Sequence, residues 1–322
     1  MITDKELSTF LKSLPPSQRD SLMREAIQAQ AREERQAERM QIGSKNKMSY
    51  PAFKHAFWPG GYIETQFQAA IDDLLMDVAL FLFSDGQAGT SKAMIFWPPR
   101  HGKSTNIARM FPAWLLSRMP ELAVIVASYD DDLAKSHSRF VRNLIERNDR
   151  YRNLFPHVKI VGRQQAEWYT SENGGMLAAG IGGRVTGFGG KLLVVDDIVK
   201  NRAEAESKAI RQRIKDAYAN DLSTRVEQPG AILLSMTRWH TDDLAGFLLS
   251  QPDADEWRVL TLPAIATMDD PVRVGRTPGA ALWPEKYGLD FLKKQRALMG
   301  TYGFESLYQQ QPISREAALF DT

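Results

Sequence analysis

The chain has 322 residues, enough for one large α/β domain with appendages or for two modest domains. Its 41 basic and 39 acidic side chains nearly cancel, so any nucleic-acid surface has to be local, and the lack of cysteine excludes disulfides and thiolate metal sites. No apolar run is long enough to span a membrane, and the N-terminus MITDKELSTF carries no signal-peptide pattern; both predict a soluble, cytoplasmic chain.

Residues 1–48 read as a charged helical arm. Leu7, Phe10, Leu11 and Leu14 recur at helical spacing until Pro15-Pro16, and 17–40 continue as a helix of interleaved Arg and Glu. The plainest role for such an arm is a solvated face; a DNA-binding helix or a docking arm for a partner are the alternatives. Residues 50–61 are aromatic and rich in turn formers, with Phe53, Phe57 and Trp58 ahead of Pro-Gly-Gly. Residues 63–83 are amphipathic, with Phe67, Ile71, Leu74, Leu75, Val78 and Leu82 on the buried side. This helix precedes the next strand as the adenine-contacting segment of many phosphate-loop motors does. Trp58, Tyr62, Gln66 and Gln68 are therefore candidates for that contact, although packing serves the aromatics and solvation the glutamines equally well.

The run AMIFWPPRHGKST at 93–105 organises the rest. An apolar strand is stopped by Pro98 and Pro99, which have no N–H for a sheet ladder. Then come Arg100, His101, Gly102, Lys103, Ser104 and Thr105, opening a helix over 106–118. Strand, tight loop, Gly-Lys-Ser and helix is the order a phosphate-binding loop requires. Backbone N–H groups cradle the anion, the lysine reaches the terminal phosphates and the serine hydroxyl takes a place on Mg²⁺. The motif departs from its usual form, because its first glycine falls at Trp97.

Residues 122–128 read as a strand covered on both faces, and 130–147 as a helix carrying Arg139, Arg142 and Arg147. Short strands fit 158–171. The glycine-dense stretch 174–190 predicts a strand and a loop, leading into KLLVVDD at 191–197. A buried strand ending in paired carboxylates is the Walker B pattern: Asp196 holds Mg²⁺ and Asp197 polarises the attacking water. Residues 202–226 read as one long polar helix. Another strand over 230–239 ends in Thr237, Arg238, Trp239 and His240, where Thr237 or Arg238 could sense a γ-phosphate. A last strand is expected over 257–264, a connection over 263–284, and helical pieces at 289–299 and 302–308.

Four or five buried strands alternating with helices predict an α/β fold of the P-loop NTPase type (the additional-strand class). Its mainly parallel central sheet would carry ligands at the carboxyl edge. The core would occupy 49–265, and a small C-terminal lid or linker 266–322. Together the motifs predict Mg²⁺-dependent ATP hydrolysis by positioning and charge neutralisation. Pro99 to Thr105 would line the phosphates, Lys103 would meet their charge, and Ser104 and Asp196 the metal. Arg100 would reach phosphate oxygens in cis. Arg184, Arg139 and Arg142 are candidates for an arginine finger acting in trans.

Four segments resemble the ATPase part of tailed-bacteriophage terminase large subunits: PPRHGKS at 98–104, IGGRVTGFGGKLLVVDD at 181–197, MTRWHTDDLAG at 236–246 and FESLYQQQP at 304–312. Order and spacing agree from about residue 50 onward. The resemblance implies a motor in the host cell cytoplasm that drives double-stranded DNA into a procapsid. It would act as a ring docked on the portal protein, with a small terminase subunit selecting the DNA. It also implies that Thr237 and Arg238 couple hydrolysis to movement, and that 304–312 belong to the lid. Family members continue into a nuclease, so the chain is expected to be an isolated ATPase region that does not cleave DNA. The competing readings are a helicase-like or repair ATPase of the same fold, a nucleotide-dependent scaffold without turnover, and a small-molecule kinase.

Overall fold

The computed structural model describes residues 48–162, 166–183, 187–268, 270 and 274–313. The expected helices of the arm lie outside the described residues. One compact unit begins at Tyr50.

Its centre is an eight-stranded sheet in the order β3-β4-β5-β2-β6-β7-β1-β8. The strands are β1 (Lys92–Phe96), β2 (Ala123–Ser128), β3 (Ile160–Val161), β4 (Glu167–Thr170), β5 (Gly175–Gly180), β6 (Gly190–Asp196), β7 (Val226–Met236) and β8 (Trp257–Thr261). All neighbours from β5 to β8 pair in parallel, whereas β3–β4 and β4–β5 are antiparallel. The expectation of four or five strands was too small. The short strands expected within 158–171 are β3 and β4, and they form an antiparallel edge that the count left out. Helices on both faces explain why β2, β5 and β6 carry almost uninterrupted apolar runs.

The strand of the phosphate loop and the strand of the paired acids are not neighbours, because β7 lies between them, in register with Met94 through Leu234 and with Asp196 through Ser235. A single strand inserted between those two makes this the additional-strand class of P-loop fold. It also brings the end of β7 between the two motifs.

Helix α1 (Tyr50–Phe57) replaces the turn expected there. Its aromatic residues Tyr50 and Phe53 are buried, each at helical spacing from the next. Helix α2 (Gln66–Phe83) starts three residues later than anticipated. A buried polar network ties both to the helix that follows the loop. The Tyr50 hydroxyl donates to the Asn106 carbonyl (2.9 Å), and Asn106 Nδ2 to Gln68 Oε1 (2.9 Å). Lys54 pairs with Asp72. Burial lowers the pKa of Lys54 and raises that of Asp72 to about 6, each against the opposing pull of its partner.

After the loop, the chain makes one π-turn over Thr105–Met110, where the Phe111 N–H reaches back to the Asn106 carbonyl, before α3 (Phe111–Arg118) continues. Helix α4 (Asp131–Arg147) is capped by Asp130, whose carboxylate accepts from the Leu133 N–H (2.8 Å). Helix α5 (Asp149–Leu154) follows it.

The long polar helix expected over 202–226 is broken. Ser207 leaves helical geometry and caps α7 (Lys208–Ala217), separating it from α6 (Arg202–Glu206). A π-turn and a 3₁₀ turn then lead directly into β7. Helix α8 (Leu244–Leu248) is short and capped by Asp243. Helix α9 (Leu289–Leu307) joins the two expected C-terminal pieces across a kink at Gly300, whose φ of 71° glycine adopts without strain. Among the described residues, no helix is long and apolar enough to cross a membrane.

Candidate active site

A cleft of about 500 Å³ opens at the carboxyl edge of the sheet, and Arg100, Lys103, Ser104, Thr105, Asp197 and Thr237 line it. The loop reaches it through two left-handed residues, Arg100 (φ 65°) and Gly102 (φ 88°). At 102 a side chain is disfavoured twice: it is strained by that φ, and it makes Trp58 give way, whose ring carbon would sit 3.2 Å from an added Cβ.

Lys103 is almost fully buried. Its ammonium donates to Thr237 Oγ1 (2.7 Å) and to the carbonyls of Trp97 (3.1 Å) and Pro98 (3.4 Å). Burial lowers its pKa, and the charges of Asp197 and Asp196 oppose that shift. Asp197 is set at the end of β6 with φ 46°, a region that aspartate and asparagine tolerate better than longer side chains. Its N–H donates to the Ser235 carbonyl (3.0 Å), and its own carbonyl accepts from the Tyr129 N–H (3.2 Å). Burial raises the pKa of its carboxyl; Lys103 pulls it down, Asp196 pushes it up, and a hydrogen bond from the Thr237 backbone lowers it. Thr237 therefore holds the lysine through its hydroxyl, while its backbone lies close enough to the acid to lower its pKa. The end of β7 is the bridge between the two motifs.

Asp196 is not among the residues that line the cleft and is completely buried, with neither carboxylate oxygen hydrogen-bonded. On the adjacent strand, Ser235 is its register partner and also has an unpartnered, buried hydroxyl. Among the described residues, no group of three His, Cys, Asp or Glu forms a metal cage. A cation here has to share one carboxylate and a hydroxyl with phosphate oxygens, which is the usual arrangement for Mg²⁺.

The other candidates divide. Pro99 lines the cleft. His101 does not: it is buried, its Nδ1 lies 2.8 Å from the Pro99 carbonyl, and its ring packs against Tyr287 at 4.7 Å. Arg238 turns away from any phosphate to pair with Asp243 (2.8 Å), the cap of α8, with its guanidinium over Phe96. Its backbone N–H donates to Gln310 Oε1 (3.2 Å), which ties the segment 304–312 to the end of β7. Gln68 is committed to the buried network with Asn106 and Lys54, and Gln66 is exposed outside the cleft lining. Trp58 does meet the loop, against Gly102, and stacks near Tyr62 (5.3 Å). Arg142 pairs with Glu146 and the Gly162 carbonyl; Arg139 lies on the exposed side of α4; Arg184 lies outside the described residues.

Sequence reasoning missed Tyr129, Leu133, Lys200 and Trp239, which complete the cleft. Tyr129 and Lys200 each follow a strand end by one to four residues, so their position relative to the sheet edge was the signal available.

His101 gives a pH-dependent consequence. Burial lowers its pKa from 6.5 to about 4, so between those values the unfolded chain binds a proton that the folded chain refuses. Stability from this group is complete above pH ~6.5 and is lost as pH falls toward ~4. The loss is expected to be about 3 kcal/mol at most. Urea titrations from pH 7 to 4.5 on the parent and on His101→Gln check it: the variant should show a shallower acid decline, and parallel curves contradict the assignment.

Comparisons with known proteins bear on the family and the fold. A family model described as the N-terminal part of the terminase large subunit, T4likevirus type, matches residues 94–322. The crystal structure of the HK97 bacteriophage large terminase is similar over 83% of this chain, with a TM-score of 0.51 and 15% identity, a likeness of fold. The chain spans 57% of that protein's length. The large terminase ATPase domain of Thermus phage P74-26 aligns over 70% of this chain and 90% of its own, at 13% identity and a TM-score of 0.44. Among curated proteins no sequence matches. With the family model covering most of the chain, from β1 through the loop, the paired acids and the C-terminal segment, the chain belongs to the terminase large subunit family, T4likevirus type, in its N-terminal part.

Proposed function

We propose that the chain is the ATP-hydrolysing part of a viral DNA-packaging motor, and that residues 266–322 form a lid leading from the core toward a further domain. The observation that supports this most is Thr237, whose hydroxyl accepts from Lys103 and which shares one cleft with Asp197. A binding module needs the lysine but has no use for a carboxylate set beside the same threonine in the cleft.

Lys103 and the loop N–H groups would bind the β- and γ-phosphates, with Arg100 adding a contact from the rim. Asp197 would orient a water toward the γ-phosphorus and take up its proton as the new P–O bond forms. The bond from the γ-phosphorus to the bridging oxygen breaks, and ADP leaves with its charge met by Lys103. Ser104 and Asp196 would hold Mg²⁺, which when bound neutralises charge on the transferring phosphoryl group; the unpartnered oxygens of Asp196 and of Ser235 fit a hydrated cation. Trp58, beside Gly102, and Tyr62, 5.3 Å from the Trp58 ring, would flank the base.

Duplex DNA would be the track. The portal of the procapsid, the small terminase subunit and further copies of the chain in a ring would be the partners. Arg139, Arg142 and Arg184 are the candidates for a trans arginine, Arg142 being paired with Glu146.

The test is hydrolysis of ATP by this chain with Mg²⁺, alone and with duplex DNA, single strands or small subunit. Turnover that requires Mg²⁺ and rises with duplex DNA and small subunit is expected. Stimulation by single strands or forks instead would favour a helicase-like enzyme, and tight binding without turnover a scaffold.

A further inference from the structure

Behind the cleft lies a buried polar chain that the steps above do not use. His137 sits on the apolar side of α4 with Ala134, Ser138 and Val141, and its side chain is fully excluded from solvent. An imidazole there is costlier to bury than a leucine, so packing alone does not account for it. Its Nδ1 accepts from Arg109 Nε at 3.0 Å. An arginine can only donate, so Nδ1 is the unprotonated nitrogen and the ring proton is on Nε2. That nitrogen lies 3.3 Å from Asp196 Oδ2, too far off line for a full hydrogen bond but close enough for electrostatic hold. Asp196 Oδ1 is left without a protein partner.

Arg109 reaches His137 because of the π-turn at Thr105–Met110. One residue fewer in that turn would rotate position 109 by about 100° about the helix axis, away from α4. π-turns of this kind recur at functional sites. Here the turn starts directly after Ser104, so one distortion serves the loop and the carboxylate together.

We propose that His137 is a positioning residue for Asp196, held in its tautomer by Arg109, and that this chain sets the aim of the carboxylate toward the metal of a bound Mg-nucleotide. It rests on the reading of Asp196 as the metal-holding acid. Partners of this sort typically change metal affinity by about 10- to 100-fold when removed.

The experiment measures the affinity of a fluorescent ADP analogue with excess EDTA and with Mg²⁺, and takes the ratio as the gain due to metal. In His137→Leu the affinity in EDTA should stay within about twofold while the gain falls roughly tenfold or more. His137→Gln, whose amide can accept from Arg109 and donate to Asp196, should keep most of the gain. Arg109→Met, at a half-buried position, should reduce it in the same direction by at least about threefold, and this variant decides the matter if His137→Leu does not fold. A full gain in Arg109→Met, an equal loss with and without metal, or failure of glutamine to rescue a folded leucine variant overturns the proposal. If the unaltered chain shows no gain from Mg²⁺, the metal reading of Asp196 fails first and takes this inference with it. A normal gain in the parent that no variant lowers removes His137 alone.

Discussion

Lys103→Ala is expected to reduce ATP hydrolysis to below about 1% of the parent while leaving the chain folded. The lysine is the cation at the floor of the cleft, between the carbonyls at the end of β1 and the Thr237 hydroxyl. Preorganised charge of this kind is worth about 3–4 kcal/mol in a transition state, which is a factor of about 10²–10³. The fold has less to lose. Burial already lowers the pKa of this ammonium, so holding it here is a cost to folding, and Thr237, one of the groups it leaves, lines the cleft. Asp197 loses its counter-charge, and its carboxyl moves further up from the ordinary range. Steady-state ATPase assays read the first effect and thermal unfolding the second. Unchanged turnover would remove Lys103 from the site.

Asp197→Asn is expected to separate binding from chemistry. A positioned general base contributes about 10²–10⁴ in rate, and asparagine keeps the shape and the acceptor for the Thr237 N–H but not the charge. It is also the substitution the backbone permits, because φ at 197 is 46° and asparagine tolerates that region whereas alanine is strained by it. Nucleotide affinity with Mg²⁺ should remain within a few-fold of the parent, since Asp196 and Ser104 are untouched. Burst and steady-state phosphate release should both vanish. Turnover near the parent rate would move the base elsewhere; loss of binding would make Asp197 a metal-holding acid.

The two motifs that meet at the cleft were legible because each is a local pattern with a physical cause: an apolar strand, a stop, and polar residues that a sheet edge presents together. The β1 loop and the end of β6 needed no knowledge of pairing. What pairing alone decides was not legible. That β7 runs between β1 and β6 follows from hydrogen-bond register over 140 residues of sequence separation, as in Met94 beside Leu234, and no local period encodes it. The role of Thr237 depends on that insertion. Arg238 read as a phosphate sensor from its place at a strand end, but Asp243, five residues on, captures its guanidinium. Gln68 read as an adenine contact from its place before β1, yet its helix face turns it toward Asn106 and Lys54. His137 was hidden in another way: on an amphipathic helix a single histidine among apolar positions reads as filler. Its meaning needs Asp196 and Arg109, which come from two other elements. The break at Ser207 was missed because serine signals a cap only once the residue before a helix is known, and the charge pattern of 202–226 continues through it.

The central claim is that the lysine–serine pair of the loop and the acids at the end of β6 act on one Mg-nucleotide. A crystal structure of the chain with Mg²⁺, ADP and beryllium fluoride tests it most directly. The account predicts a metal at about 2.1 Å from Ser104 Oγ, with Asp196 in its immediate surroundings, Lys103 Nζ on the fluoride group and Asp197 against the attacking water. Nucleotide bound at another face, or a metal that Ser104 and Asp196 do not share, would contradict it.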